Sequence, residues 1–341
     1  MKNRNWLLLT LVGAVALSGP LAAQAADRSV GDMWTLAMNE EGHASMPEKM
    51  AKAPDAPDGE WQKPVPVSVW FSWTLVSDYV WRGLNFSDAP GEDEDWPNHQ
   101  LDTGLEVGLG RYGAIGFDIW MEFYEGQHKL GDPDSGHLQE VDYIVYYTLD
   151  ISELCATIPV NFTMGWIAYT FPEEYGHADS HYTNELYFVF EVDDSSLFGT
   201  ENAVLNPYFA WYADMDDFNG NWWEFGLSHE FALAELGMAN IPLLRDTSVT
   251  PSWVMGVDHN FFKAHDSTTG LEVMEKDTRI HNFLWGVDVT LDLSSAMSLP
   301  ASWGSLSLSG FLNYSQPISQ ESRDYLIDDE VFGGMTLGWE W

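Results

Sequence analysis

From Val67 onward, apolar and polar residues take turns along the chain. Val67, Val69, Phe71, Trp73, Leu75, Tyr79 and Trp81 fall on one face, interrupted by Ser77, while Ser68, Ser72, Thr74, Asp78 and Arg82 fall on the other. A side-chain period of two belongs to a β-strand, and faces of unlike polarity mean unlike surroundings. The signature recurs. Leu101, Leu105, Val107 and Leu109 oppose Asp102, Gly104, Glu106 and Gly108; after Arg111-Tyr112-Gly113, Ile115, Phe117, Ile119, Met121 and Phe123 oppose Gly116, Asp118 and Glu122. Val141, Tyr143, Val145, Tyr147 and Leu149 alternate with Asp142, Tyr146 and Thr148, and Val160, Phe162, Met164 and Trp166 with Asn161, Thr163 and Gly165. Leu186, Phe188, Phe190 and Val192 oppose Glu185, Tyr187 and Glu191. Further strands are predicted over 205–212, 222–231, 249–259, 279–291, 305–315 and 331–341, which makes twelve.

The connections are of two kinds. Those after odd-numbered strands (85–100, 125–137, 171–180, 213–221, 260–278 and 316–330) are acidic and polar. Those after even-numbered strands (111–113, 150–159, 193–203, 232–248 and 292–304) carry less charge and are sometimes helix-like, as at 231–239. Two kinds of ends imply two compartments, and an even strand number puts the acidic loops on the side away from the termini. Hydrocarbon offers no hydrogen bonds, so a sheet can cross a membrane only by closing and leaving no edge. The fold expected is therefore all-β: an antiparallel, up-and-down transmembrane β-barrel of about 12 strands over 65–341. A soluble sandwich with its apolar faces inward fits the same alternation. It leaves unexplained the Trp and Tyr residues near strand ends, namely Tyr79 and Trp81, Trp211 and Tyr212, Trp222 and Trp223, and Trp339 and Trp341, which interfacial girdles would explain.

The N-terminus changes the picture by adding a route. Lys2 and Arg4, an apolar stretch from Trp6 to Leu17 and the small-x-small site Ala23-Gln24-Ala25 read as a cleaved secretory signal over 1–25. That stretch is too short to cross ~30 Å of hydrocarbon as a helix. Residues 26–64, punctuated by Pro47, Pro54, Pro57 and Pro64, read as a largely disordered periplasmic leader. The single Cys155 cannot build a disulfide framework. With 53 Asp and Glu against 14 Lys and Arg, the net charge is −39, which excludes a nucleic-acid partner. The 17 Trp, 14 Tyr and 18 Phe exclude a disordered acidic chain, since such rings must be received somewhere.

If the apolar faces meet lipid, the other face lines the lumen. There stand Asp78, Asp102, Glu106, Asp118, Glu122, Asp142, Glu185, Glu191, Glu224, Asp258, Asp288 and Glu340, with Arg82 as the clear opposing charge. An open bore so lined would attract cations, and small hydrophilic or cationic solutes are the expected cargo. Arg82, near the outer end of the first strand, is expected to pair with Asp102 across the ladder. The same face also carries Trp120, Tyr146, Tyr187, Tyr208 and Trp222, which could fill the bore or form a stacking track, so a closed structural or adhesive barrel stays open as an alternative. An enzyme, such as a lipid hydrolase, is disfavoured: Ser228 beside His229 and Asp258 beside His259 point to opposite faces of their strands. No catalytic residue and no cofactor is expected. Glu173, Glu174, His177, Asp179 and His181 crowd one loop and form a weak metal candidate, with a solvated loop as the favoured reading.

Ser77-Asp78-Tyr79-Val80-Trp81-Arg82-Gly83 resembles the opening-strand motif of the TorF-like porin family of Gram-negative outer-membrane β-barrel proteins. The segment from Gly165-Trp166-Ile167-Ala168 through Tyr169-Thr170-Phe171-Pro172, followed by Asn184-Glu185-Leu186-Tyr187, resembles a second block of that family. These blocks cover a small part of the chain, and the long acidic loops and the leader depart from the family's compact form. The resemblance implies an outer-membrane location and a pore, and supplies no ligand. The final alternation of Met335, Leu337, Trp339 and Trp341 with Thr336, Gly338 and Glu340 resembles the signal that the barrel assembly machinery recognises, with Trp341 as its terminal aromatic.

Overall fold

The computed structural model describes residues 66–87, 97–124, 138–154, 159–172, 182–200, 202–216, 219–262, 277–325 and 327–341. The signal segment, the leader and Cys155 lie outside them. Twelve long strands follow in order: β1 (Val67–Val76), β2 (Asn98–Gly108), β3 (Ala114–Tyr124), β4 (Leu138–Asp150), β5 (Val160–Thr170) and β6 (Tyr182–Val192). The second half is β7 (Tyr208–Asp214), β8 (Asn221–Ser228), β9 (Thr247–His259), β10 (Thr278–Asp292), β11 (Ser305–Pro317) and β12 (Glu330–Glu340). The two-residue segment Phe231–Ala232 continues the pairing of β8 along β9. Every strand pairs antiparallel with its neighbours in sequence.

The ring closes where the first strand meets the last. Trp70 faces Glu340 and Val76 faces Gly334 across β1 and β12, and beyond the ladder Val69 and Trp341 exchange backbone hydrogen bonds of 2.7 and 2.8 Å. Closure removes the row of unpaired amides and carbonyls that an open edge would leave. The alternation read from the sequence is realised with its apolar side outward: Phe71, Val287 and Leu312 are 45%, 43% and 50% exposed, while Ser72, Asp288 and Asn313 beside them are buried. One closed sheet with outward apolar stripes rules out the soluble sandwich.

Inside, large rings lie flat against the wall because glycine lies beneath them. Trp70 is opposite Gly104, Tyr146 opposite Gly116, Tyr187 opposite Gly165 and Tyr208 opposite Gly226, and a Cβ added at any of these glycines would strike the ring. Burial of a Trp or Tyr is a large apolar contribution, and the missing Cβ lets a curved wall take it up.

At one end the connections are compact. A 3-10 turn spans Gly110–Tyr112, short helices span Ile151–Leu154, Ser195–Phe198 and Leu293–Met297, and the Asp292 carboxylate caps the last of these by accepting from the Ser295 amide at 3.0 Å. The helix-like stretch expected at 231–239 is a single wide turn over Ala234–Met238.

At the other end β1 departs from expectation. It stops at Val76 rather than running on to Trp81. Ser77 ends the ladder: its amide donates to Gly333 O at 2.8 Å, and its hydroxyl accepts from the Gly333 amide at 3.1 Å. The chain then turns into the barrel as a separate two-stranded hairpin, Val80–Trp81 against Leu84–Asn85, with Arg82 and Gly83 at its tip. Both tip residues have positive φ, 49° and 82°, as a two-residue type I′ turn requires. Tyr79 and Trp81 are therefore buried inside the barrel and are not girdle residues. Tyr212 and Trp222 likewise face inward, leaving Trp211, Trp223 and Trp339 on the outer face of their strands.

Candidate functional site

The hairpin carries Arg82 across the bore. Its guanidinium reaches Glu185 on β6, five strands round a ring of twelve from β1, donating from Nη1 at 2.7 Å and from Nη2 at 2.9 Å. Both side chains are sealed from solvent, at 0% and 1% exposure. The fork matches the two carboxylate oxygens, the geometry that makes Arg and carboxylate a strong pair. Tyr169 from β5 donates its hydroxyl to the same carboxylate at 3.0 Å and fixes its plane.

Four aromatic faces enclose the guanidinium. Its carbon lies 4.5 Å from the ring centres of Trp81 and Phe261, 5.0 Å from Tyr212 and 5.4 Å from Trp222. Phe261 arrives there because Asn260, with φ 59°, bends the chain inward after β9, and Asp258 Oδ1 accepts from the Phe261 amide at 2.7 Å and from Phe262 at 3.3 Å. A cation within about 6 Å of several ring faces, out of water, gains most from their quadrupoles. The expected pairing of Arg82 with Asp102 is not formed. Asp102 accepts instead from Trp70 Nε1 at 3.0 Å, since the inward turn takes Arg82 away from β2.

Other inward carboxyls predicted from the sequence hold neutral donors. Tyr146 donates to Glu106 at 3.1 Å, and Glu224 accepts from Trp222 Nε1 at 2.8 Å and from Tyr208 at 3.3 Å. Such donors lower the cost of removing a carboxyl from water. Asp118, Glu122, Asp142 and Asp288 are also buried in the interior, and Asp78 is half-buried at the base of the hairpin, where Asn85 reaches it at 3.4 Å. Asp258, besides its backbone donors, takes Arg279 Nε at 3.0 Å.

Arg279 is thus a second interior guanidinium, which the alternation alone did not reveal because the register shift opposite Gly256 and Val257 reverses the parity of β10, placing Arg279 inside and Ile280 outside. Glu140 was missed for a different reason. It stands one residue before the alternation that starts at Val141, in register with Glu122 and on the same parity as Asp142, and the bulge beyond it, where the register shifts between Glu122 and Phe123, leaves Gln139 buried as well. Tyr79, on the hairpin and outside the strands, donates to Glu140 at 2.9 Å, and burial with Glu140 and Asp142 nearby pushes its phenol well above the usual value. A second bulge between Gly256 and Val257 buries both His281 and Asn282, and His281 Nδ1 meets the Ser322 hydroxyl at 2.8 Å.

The adjacent pairs weighed for catalysis separate as their strands dictate. His229 Nδ1 meets Val204 O at 2.6 Å, and His259 meets the Thr278 hydroxyl at 2.6 Å and stacks on Trp223. His177, Asp179 and His181 lie outside the described residues, among which no group of three or more His, Cys, Asp or Glu could hold a metal ion.

No protein-family model matches the chain, so the TorF-like resemblance rests on the quoted motifs. No curated protein matches either. Among solved structures the chain is similar to an outer membrane channel from Pseudomonas putida F1, at 8% identity and TM-score 0.44 over 84% of this chain and 100% of that one. It is similar to the NanC porin at 8% identity and TM-score 0.39, over 80% and 98%. It is similar to outer membrane phospholipase A from Escherichia coli at 10% identity and TM-score 0.36, over 80% and 95%. A channel, a porin and an enzyme stand side by side in that set, so function has to be argued from this chain's own side chains.

Proposed function

We propose that the protein is an outer-membrane channel for small hydrophilic solutes, preferring cations, whose bore is obstructed at rest by the Arg82 hairpin. The outward apolar stripes and the closed ring suit hydrocarbon, and the secretory signal read from the sequence suits export to that membrane. Lipid on the outside and the barrel assembly machinery at Trp341 are the partners this reading entails.

The observation that carries the cation preference is the balance of interior charge. Among the described residues, carboxyls enter the bore from β2, β3, β4, β6, β8, β9 and β10, whereas the basic side chains inside are Arg82 and Arg279. A low-dielectric tube focuses the field of the ionised members of that set on any ion within it. Refolded protein in a planar bilayer under a salt gradient is expected to give discrete openings with a reversal potential of cation-selective sign. An anion-selective sign would overturn the preference. Silence from both the wild type and a variant lacking the hairpin's arginine would favour the closed structural or adhesive barrel, the second reading that the buried bore supports.

A further inference from the structure

We propose that the pocket around Arg82 is a binding site for guanidinium-bearing organic cations, which Arg82 fills at rest and which a solute of that class enters by displacing it. This deepens the channel reading and rests on it only for the consequence to conductance. The pocket's own chemistry makes the case. A planar, weakly hydrated cation is matched on its edge by both oxygens of Glu185 and on its faces by Trp81, Phe261, Tyr212 and Trp222. The carboxylate is set in place by Tyr169. An ammonium or an alkali ion can use the charge of Glu185 but neither the fork nor the stacking.

What delivers Arg82 is lightly built. The hairpin ladder has two residues on each strand and is a sheet separate from the barrel. Two-stranded ribbons are marginal alone. The hairpin is held by its ends, Ser77 at Gly333, Tyr79 at Glu140, and Ser87 at the Asn98 side chain and the Tyr79 amide, and by Trp81, which packs on Tyr169, Phe261 and Phe262. The walls of the pocket that belong to the barrel, Glu185, Tyr212, Trp222 and Tyr169, stay behind if the tip withdraws. A tethered side chain whose removal leaves a cation-shaped pocket is a built-in competitor for a free cation of the same shape.

Arg82→Gly is the variant of choice, because glycine keeps the positive φ of the turn while emptying the pocket. Calorimetry on the folded protein in detergent, with methylguanidinium chloride as probe and methylammonium and sodium chloride at equal ionic strength as controls, reads binding directly. Arg82→Gly is expected to bind methylguanidinium at least about tenfold more tightly than methylammonium, and Arg82→Gly/Glu185→Gln to lose that margin. Equal binding of the two cations, or a margin that survives Glu185→Gln, would overturn the site. In wild-type channels, should the glycine variant not fold, methylguanidinium is expected to raise open probability at concentrations where methylammonium does not, and equal responses would overturn the proposal. Methylguanidinium binding with no conductance in any variant would sink the channel and leave the site. Conductance without discrimination would do the reverse.

Discussion

The two walls of the bore solve the same problem differently. On the wall formed by β2, β3 and β4, Asp102 and Glu140 are buried against the neutral donors Trp70 and Tyr79. On the wall formed by β6 to β10, Glu185 and Asp258 are buried against the guanidinium groups of Arg82 and Arg279, while Glu224 on the same wall is held by the neutral donors Trp222 and Tyr208. A carboxyl held by a phenol or indole depends on no distant charge, so its removal leaves a vacancy of modest cost. A carboxylate bridged to a buried guanidinium cannot be neutralised without stranding the partner. The difference teaches where the molecule is committed and where it is adjustable: the hairpin wall is locked by charge, and the opposite wall is free to vary.

The largest effect should come from breaking the lock. Glu185→Gln leaves Arg82 in its aromatic box with an amide in place of an anion, and a stranded buried charge costs on the order of 3 to 5 kcal/mol. Denaturant unfolding in detergent is expected to show that loss. Asp102→Asn on the opposite wall, where Trp70 can still donate to the amide oxygen, should lose no more than about 1 to 2 kcal/mol. Equal losses at the two positions would erase the distinction between the walls.

A smaller effect tests how the hairpin leans on the neutral wall. Tyr79→Phe removes one hydrogen bond to Glu140 and should cost about 1 kcal/mol. Its pH dependence has a definite sign. The folded phenol is pushed above its usual value, chiefly by burial, so its contribution is fully present below the unfolded value of about 10 and is lost as pH rises beyond it. The difference between wild type and Tyr79→Phe is therefore expected to persist through mildly alkaline pH and to shrink above about 10. A difference that already shrinks near neutrality would mean that the phenol is not the donor.

These contrasts were legible in the sequence only in part. The barrel could be read because lipid and a polar interior impose opposite demands on alternate residues, and Val67 to Val76 shows the code with Trp70 and Val76 as the apolar exceptions on the inner face. The hairpin could not, because Tyr79 and Trp81 keep the same apolar parity after Ser77, and nothing in a period of two says that the chain has left the wall. The clue was present in Arg82-Gly83, a pair able to take the left-handed turn. A bulge hid Arg279 and His281 by the same logic, since one extra residue reverses the parity beyond it, whereas Glu140 lies just before Val141, where the clear alternation starts. The interior carboxyls on unbulged strands, such as Glu106, Asp118 and Glu224, were found by alternation alone, whereas their partners were not, because those come from other strands.

The smallest expected effect is also the one most specific to the charge argument. Selectivity arises from the summed field of many groups within a screening length of about 8 to 10 Å, so altering one of them shifts the reversal potential modestly. The sign, however, is set by which charge is removed. Glu106→Gln takes a carboxyl held by Tyr146 from the neutral-donor wall and should reduce cation preference. Arg279→Gln takes a guanidinium from the charged wall and should raise it, while Asp258 keeps the Phe261 and Phe262 amides as donors and so does not lose its place. Measured in the same bilayer under the same salt gradient, the two variants should move in opposite directions from the wild type. Movement in the same direction would show that the substitutions act by reshaping the bore rather than through its charge, and the contrast between the walls would then be one of packing alone.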